Sequence, residues 1–458
     1  MGVRSWEKRV KSKELRWKMK SGNFKICLSV FALAFALNGN LFAQKCVNPH
    51  FDAQRLDFRD LGYPGATEIS ADSSPITALM AHRGNGKVYG ATTGRRAHLF
   101  VWDYRVNKVF PLGALPEGEK GVRNCMVQGA DGRIFVGSGL SEIELLRLSR
   151  SMPEGRRAIE HQLWRDIKAK YADYAGGHIY VYDPAKSDAL VRLPGESAEL
   201  ADMGIPVPNN SIYAMVTDKA GENIYGISYP DAEFFSCNVA SGKIVRHGKW
   251  MEKLSYPGPE RSWRGVPRSL AVAADGKVWS SGDDGLMRFF DPASGKFASC
   301  AMRIPGEYWE TQACNAFPVV EQLFARNDGS LIGASSDGFI FTLCPGSSTL
   351  VNWGKPRVER RVRAAAIGKD GRFYSICGEK DNVCRLFSFR EDEGHVDYGV
   401  LGVDRSPYYA KIAYQFDAMT VAADGSVFIG ESDRRAKLFI FIPGAQVMPG
   451  VLNPTNPR

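Results

Sequence analysis

The stretch Ala273–Lys296, AADGKVWSSGDDGLMRFFDPASGK, decides the fold. Asp275-Gly276 separates two short apolar runs, a second polar gap follows, and a third run with paired aromatics ends in Asp291-Pro292 and a Ser-Gly-Lys turn. Asp-Gly and Asn-Gly accept the positive φ angles of tight hairpins, so the runs read as consecutive antiparallel strands. The same turn position recurs at Asn85-Gly86, Asp131-Gly132, Gly221-Glu222, Asp328-Gly329, Asp370-Gly371 and Asp424-Gly425, seven occurrences in all. Each is flanked by a run of small apolar residues such as SLAVAA or AMTVAA and by a second run such as KVYGAT or SVFIGE. A third run alternates aromatics (HLFVWD, HIYVYD, RLFSF, KLFIF), and a fourth follows a further turn (KVFPLG, ALVRLPG, VDYGVLG).

Four short strands per unit, at a spacing of roughly 40 to 55 residues apart from one longer interval, is the pattern of a β-propeller. A solenoid is the alternative, but hairpin meanders fit blades better. The seventh unit stops after its third strand, KLFIFIP, while RLDFRDLG at 55–62 resembles the fourth strand VDYGVLG. The sequence therefore predicts an all-β, seven-bladed propeller of four-stranded antiparallel blades, its ring closed by an N-terminal strand. Closure of this kind removes the exposed edge of the last blade.

The first 43 residues stand apart. They hold nine Lys/Arg against two acids, then the apolar run ICLSVFALAFAL from Ile26, and end at LFA. A basic segment, a short apolar stretch and a small residue describe a secretory signal peptide cut after Ala43. The expected organisation is a signal peptide at 1–43, the propeller at 44–446 and a Pro-rich tail at 447–458, with a periplasmic or secreted location. The leader carries seven of the chain's nine net positive charges. The remainder is close to neutral, so no nucleic-acid partner is expected. Nor is stable membrane insertion once the leader is gone, and a monomer is expected. Eight of the nine cysteines lie beyond Cys27, with no CxxC and no ligand-like Cys/His spacing. No metal or other cofactor is implied. In an oxidising compartment Cys377 with Cys384, and Cys300 with Cys314, could bridge.

Function belongs where the repeat is broken. The a–b and c–d turns of the blades are short, whereas the b–c loops and the links between blades are long, and these share one face, here called the upper face. The largest insertion, 140–177 in the second blade, carries Ile159, Leu163, Ile167 and Tyr171 every four residues behind a Ser151/Glu154 capping box and reads as a helix. It is either a strut or the wall of a site. Long links bring aromatics, among them Trp263 and Trp309, whose faces suit sugar rings. The residue opening the third strand is His98, His178, Glu233, Leu286, Phe339, Arg385 and Lys437 in unit order. Links entering the first strands add Arg123, Asn124, Asn210, Arg268, Asn315, Arg361 and Asp417, and Tyr229 lies in the third b–c loop beside Glu233. This funnel of histidines and arginines favours an anionic ligand, either an acidic carbohydrate or a protein. No Gly-rich phosphate loop, GxSxG, HExxH or EF-hand loop is present.

The repeat, the leader, the histidines and the YxxxYP stretch at 225–230 resemble the secreted seven-bladed propeller polysaccharide lyases that act on acidic glycans. The resemblance implies β-elimination from a uronate. A His or Tyr, here His98, His178 or Tyr229, would take the proton α to the carboxylate, while Arg123 and Arg268 would neutralise the carboxylate. A propeller that only binds a glycan or a protein partner through the same face is the other expectation, since fold alone argues for neither.

Overall fold

The computed structural model describes residues 56–62, 66–141, 165–188, 196–251, 266–282, 284–307, 317–358, 361–378, 383–405 and 409–443. The chain divides into two units, Met1–Cys46 and Val47–Arg458, and all of these residues belong to the second. The expected leader and tail, Trp263, Trp309, Cys314 and Asn315 lie outside the described residues.

Seven four-stranded antiparallel sheets follow one another in sequence. Within each blade the strands are lettered a to d from the axis outward. Blade 1 holds Ile76–Ala81, Val88–Thr92, His98–Asp103 and Lys108–Ala114. Blade 2 holds Met126–Gln128, Ile134–Gly137, Ile179–Tyr182 and Ala201–Asp202, and blade 3 holds Ser211–Thr217, Asn223–Tyr229, Glu233–Asn238 and Ile244–Lys249. Blades 4, 5 and 6 begin with strands a at Ala271–Val272, Val320–Ala325 and Val362–Ile367. Each strand a packs on that of the next blade, and the seventh packs on the first, which closes the ring.

The closing strand behaves as the sequence predicts. Leu56–Asp60 pairs with Lys437–Phe441 in the register Leu56↔Phe441 to Asp60↔Lys437, completing the blade begun by Phe416–Val421 and Val427–Glu431. Leu56, Phe58 and Leu61 are buried there.

Between blades, aromatics of strand c fill space that strand b leaves. Gly90 and Gly226 face Phe100 and Phe235 across the ladder, and a Cβ at either glycine would stand 2.1 or 2.2 Å from the ring tip. Small residues in strand b are thus a packing requirement.

A second regularity lies at the axis. In blades 1, 3, 5, 6 and 7 the register of strand a slips near its start, a β-bulge at Thr77, Tyr213, Glu321, Arg363 and Asp417. A bulge re-aims a side chain that strict alternation would send elsewhere, and here the bulged residues reach neighbouring blades. Thr77 donates to Val122 O, and Tyr213 accepts from Arg268 Nε at 3.0 Å. Glu321 takes Arg268 on one side at 2.9 Å and Arg361 on the other, and Arg363 pairs with Asp417. Below this belt runs an axial cavity of about 810 Å³, lined by strand a of every blade.

Two expectations change. The fourth strand of blade 2 is Ala201–Asp202, which pairs with Tyr180 and Val181; the predicted segment ALVRLPG lies outside the described residues. Cys377 and Cys384 are buried thiols rather than a bridge, and Cys384 Sγ donates to Tyr414 O at 3.0 Å.

The described end of the blade 2 insertion is helical over 165–172, with Ile167 and Tyr171 buried as the periodicity predicts. It is held firmly. Tyr171 Oη lies 2.8 Å from Ser211 Oγ, and Lys168 pairs with Asp231. Asn209, itself in the left-handed region (φ 55°), turns its amide onto the carbonyls of Tyr171, Ala172 and Tyr174. A residue from a distant link thus satisfies carbonyls that a helix end leaves open.

Candidate functional site on the upper face of blade 2

Most of the polar residues that the sequence places on the upper face are consumed by the fold. Arg268 and Arg361 share Glu321, whose side chain is 2 % exposed. Burial weakens the charged form of Arg268, but Glu321 and Tyr213 outweigh it and raise its pKa. Asn124, with φ 22°, donates its side-chain amide to Arg268 O at 3.1 Å, although it still lines the axial cavity. Asn210 is spent on Asp231, Ser228 and Pro208. Burial raises the Asp231 pKa, yet hydrogen bonds from Lys168 and Asn210 more than offset this and lower it.

The residues opening strand c do not converge on the axis; they close outward onto strand d. Arg246 donates Nε to Glu233 at 3.0 Å, Arg385 pairs with Asp397 at 2.8 Å, and Lys437 lies buried 3.8 Å from Asp60. His98 is buried, its Nδ1 donating to Arg96 O at 3.0 Å. Tyr229 is wholly buried, stacked on Tyr213 at 5.1 Å and edge-on to Tyr171. A ligand on the surface does not reach either side chain.

Two of the predicted residues on blade 2 keep polar atoms unengaged among the described residues. Arg123, just before strand a, forms no hydrogen bond or ion pair there; its guanidinium lies 5.6 Å from the Tyr213 ring centroid, and its Nη2 is sealed from solvent without a partner. His178, at the start of strand c, is gripped on one side only. Asp202 of strand d accepts from Nδ1–H at 2.9 Å, and Nε2 has no hydrogen-bond partner among the described residues. The imidazole stacks on Tyr180 at 5.4 Å and 10°.

Beside His178 lies a group that sequence reading missed. Glu119, in the link from blade 1, is 5 % exposed and accepts from Tyr174 Oη of the insertion at 2.9 Å. Burial raises the Glu119 pKa against the opposing hydrogen bonds of Tyr174 and Ser138. Burial and Glu119 together raise that of Tyr174. Ser138 Oγ accepts the His178 backbone N–H, joining the two halves. Asp202 was missed because the fourth strand was sought in the wrong place, and Glu119 because no motif surrounds it. Among the described residues no group of three or more His, Cys, Asp or Glu could hold a metal ion, and no helix is long and apolar enough to cross a membrane.

Fold and geometry together define a seven-bladed β-propeller. Comparison with solved structures agrees. A streptogramin B lyase aligns with a TM-score of 0.56 at 14 % identity over 87 % of this chain and 99 % of its own. Virginiamycin B lyase from Staphylococcus aureus gives 0.53 at 12 % over 84 % and 100 %. A copper-bound fungal alcohol oxidase of the AA5 family gives 0.51 at 12 % over 83 % and 77 %. At such identities the likeness is one of fold. No family model and no curated protein matches the sequence.

Proposed function

We propose that the chain is an exported propeller that binds an anionic ligand, an acidic polysaccharide, on the upper face of blade 2. Arg123 carries this reading. It keeps an uncompensated charge and a sealed, unpartnered Nη2, and a buried donor without an acceptor is costly unless a ligand supplies one. The neighbouring arginines are already neutralised, so Arg123 is the group left to receive a carboxylate or sulfate. A charge-assisted hydrogen bond contributes about 1.5 to 3 kcal/mol. Arg123→Ala should therefore weaken binding by about 10- to 100-fold in affinity electrophoresis through uronate-rich and sulfated polysaccharides, with neutral gels giving no retardation. Equal retardation of the variant and the native protein would sink the assignment. The leader supports a location outside the cytoplasm.

One observation favours a second reading, β-elimination from a bound uronate. His178 has the arrangement of a general base, Nδ1 tied to a carboxylate and Nε2 unengaged. With the ligand carboxylate on Arg123, the developing charge would be stabilised while Nε2 takes the α-proton. Incubation with a panel of uronate polymers should then produce unsaturated-uronate absorbance, reduced at least about 100-fold in His178→Ala. Binding without any such absorbance would leave the first reading alone standing.

A further inference from the structure

The axial cavity has no part in the readings so far. Its volume of about 810 Å³ lies within the range of small-molecule sites, about 300 to 1,000 Å³. Strand a of every blade lines it, but the two sides of the lining differ in chemistry. At the last pair of each a–b ladder, blades 1, 4, 5, 6 and 7 present Ala81, Val272, Ala325, Ile367 and Val421. All five border the cavity, and none is fully buried although each lies in a strand. The same place on blades 2 and 3 holds the polar residues Gln128 and Thr217.

At the lower mouth, where the a–b turns lie, the lining becomes charged. Arg83 follows strand a of blade 1, Asp218 and Lys219 follow that of blade 3, and Arg326 follows that of blade 5. Arg326 is answered by Glu391. The Asp218 carboxylate turns back on its own hairpin, where it accepts from the Glu222 backbone N–H and from Asn223 Nδ2, both at 2.8 Å. Arg83 and Lys219 are exposed, and among the described residues neither side chain forms a hydrogen bond or an ion pair. The turn that carries Arg83 is nevertheless fixed. The Arg83 backbone N–H donates to Gln128 Oε1 at 2.9 Å. His82 Nδ1 accepts from the N–H groups of Gly84 and Asn85, while its Nε2–H donates to Gly132 O at 2.8 Å. Blade 2 thus anchors the turn and sets the root of the Arg83 side chain at the edge of the cavity.

Blades 4 to 7 therefore supply an aliphatic wall, and blades 1 and 3 supply two cations with no acid to answer them. Water is released when an apolar chain covers such a wall, and a carboxylate satisfies the cations. We propose that the axial cavity is a second binding site, for a small amphiphilic carboxylate. Its aliphatic chain lies along Val272, Ile367 and Val421, and its head group meets Arg83 and Lys219 at the lower mouth. The site involves neither Arg123 nor His178 and stands independently of the polysaccharide reading.

The test titrates the full-length protein with decanoate by isothermal calorimetry, below the concentration at which decanoate forms micelles. One molecule should bind per chain. Octanoate, two methylenes shorter, should bind about tenfold more weakly. 1-Decanol, which keeps the chain length and loses the charge, should bind at least about tenfold more weakly. Arg83→Glu combined with Lys219→Glu should lower the affinity for decanoate by at least about tenfold. Both positions are exposed turn residues, and the melting temperature of the double variant checks the fold. Lys296→Glu, which reverses an exposed cation on the outer strand of blade 4, controls for net charge and should leave the affinity unchanged. Absence of one-to-one binding, equal affinity for decanoate and 1-decanol, or a double variant that binds decanoate as the native protein does would each overturn the proposal. So would an equal loss in Lys296→Glu.

Discussion

Removal of residues 56–62 is expected to lower the melting temperature by at least about 10 °C, or to leave no soluble protein. The segment supplies the fourth strand of blade 7 and buries Leu56, Phe58 and Leu61. At about 1.5 to 3 kcal/mol for each large apolar side chain taken out of water, these three contribute roughly 5 to 9 kcal/mol. For a ring of this size a kilocalorie moves the midpoint by about 2 °C. Deletion also bares the edge of Lys437–Phe441, an invitation to edge-to-edge association. A milder probe is Phe58→Ala, expected to cost about 3 to 5 kcal/mol. An unchanged midpoint for the deletion would exclude the strand's closing role.

Glu321→Ala should be the most damaging single substitution of a charged residue on the upper face. Its carboxylate is sealed between Arg268 and Arg361, both largely out of solvent. Removing one partner of a buried ion pair costs about 3 to 5 kcal/mol because the other charge stays buried and uncompensated. Glu233→Ala is the contrast. Arg246 is about half exposed, so the loss of that pair should cost under about 1 kcal/mol. Denaturant midpoints of the two variants would show the difference. Similar small costs for both would mean that the arginines of the belt find new acceptors, and the belt would not be what locks blades 4, 5 and 6 together.

The ring was legible because its determinants are local. An Asp-Gly turn announces a hairpin wherever it stands, and Leu56–Asp60 announces itself by resembling the fourth strand VDYGVLG. The site was less legible because availability is a tertiary property. Arg268, Arg361, Glu233, Arg385 and Lys437 have the right chemistry at the right ends of strands, yet each is answered by a partner from 12 to more than 300 residues away. One signal was present. The runs ITA, IYA, VEQ, VRA and FDA each insert a larger or polar residue near the start of a strand a, and those are the five bulges. A polar residue breaking an apolar run at an equivalent place in several repeats marks a position that points somewhere other than the core. Glu119 offered no such sign, since nothing around it repeats.

The pairing of Asp60 with Lys437 also orders events in time. As the chain leaves the ribosome its early strand appears first and has no sheet to join. Blades 1 to 6 are each built from neighbouring segments and can form as they emerge, by the local contacts that assemble fastest. The last blade must wait for residue 441, and only then does the waiting strand find its place. Any truncated product of synthesis would therefore carry an unsatisfied strand at its front and an open ring behind it. The seam serves as a completeness check, passed only by a chain that has been made to its final blade.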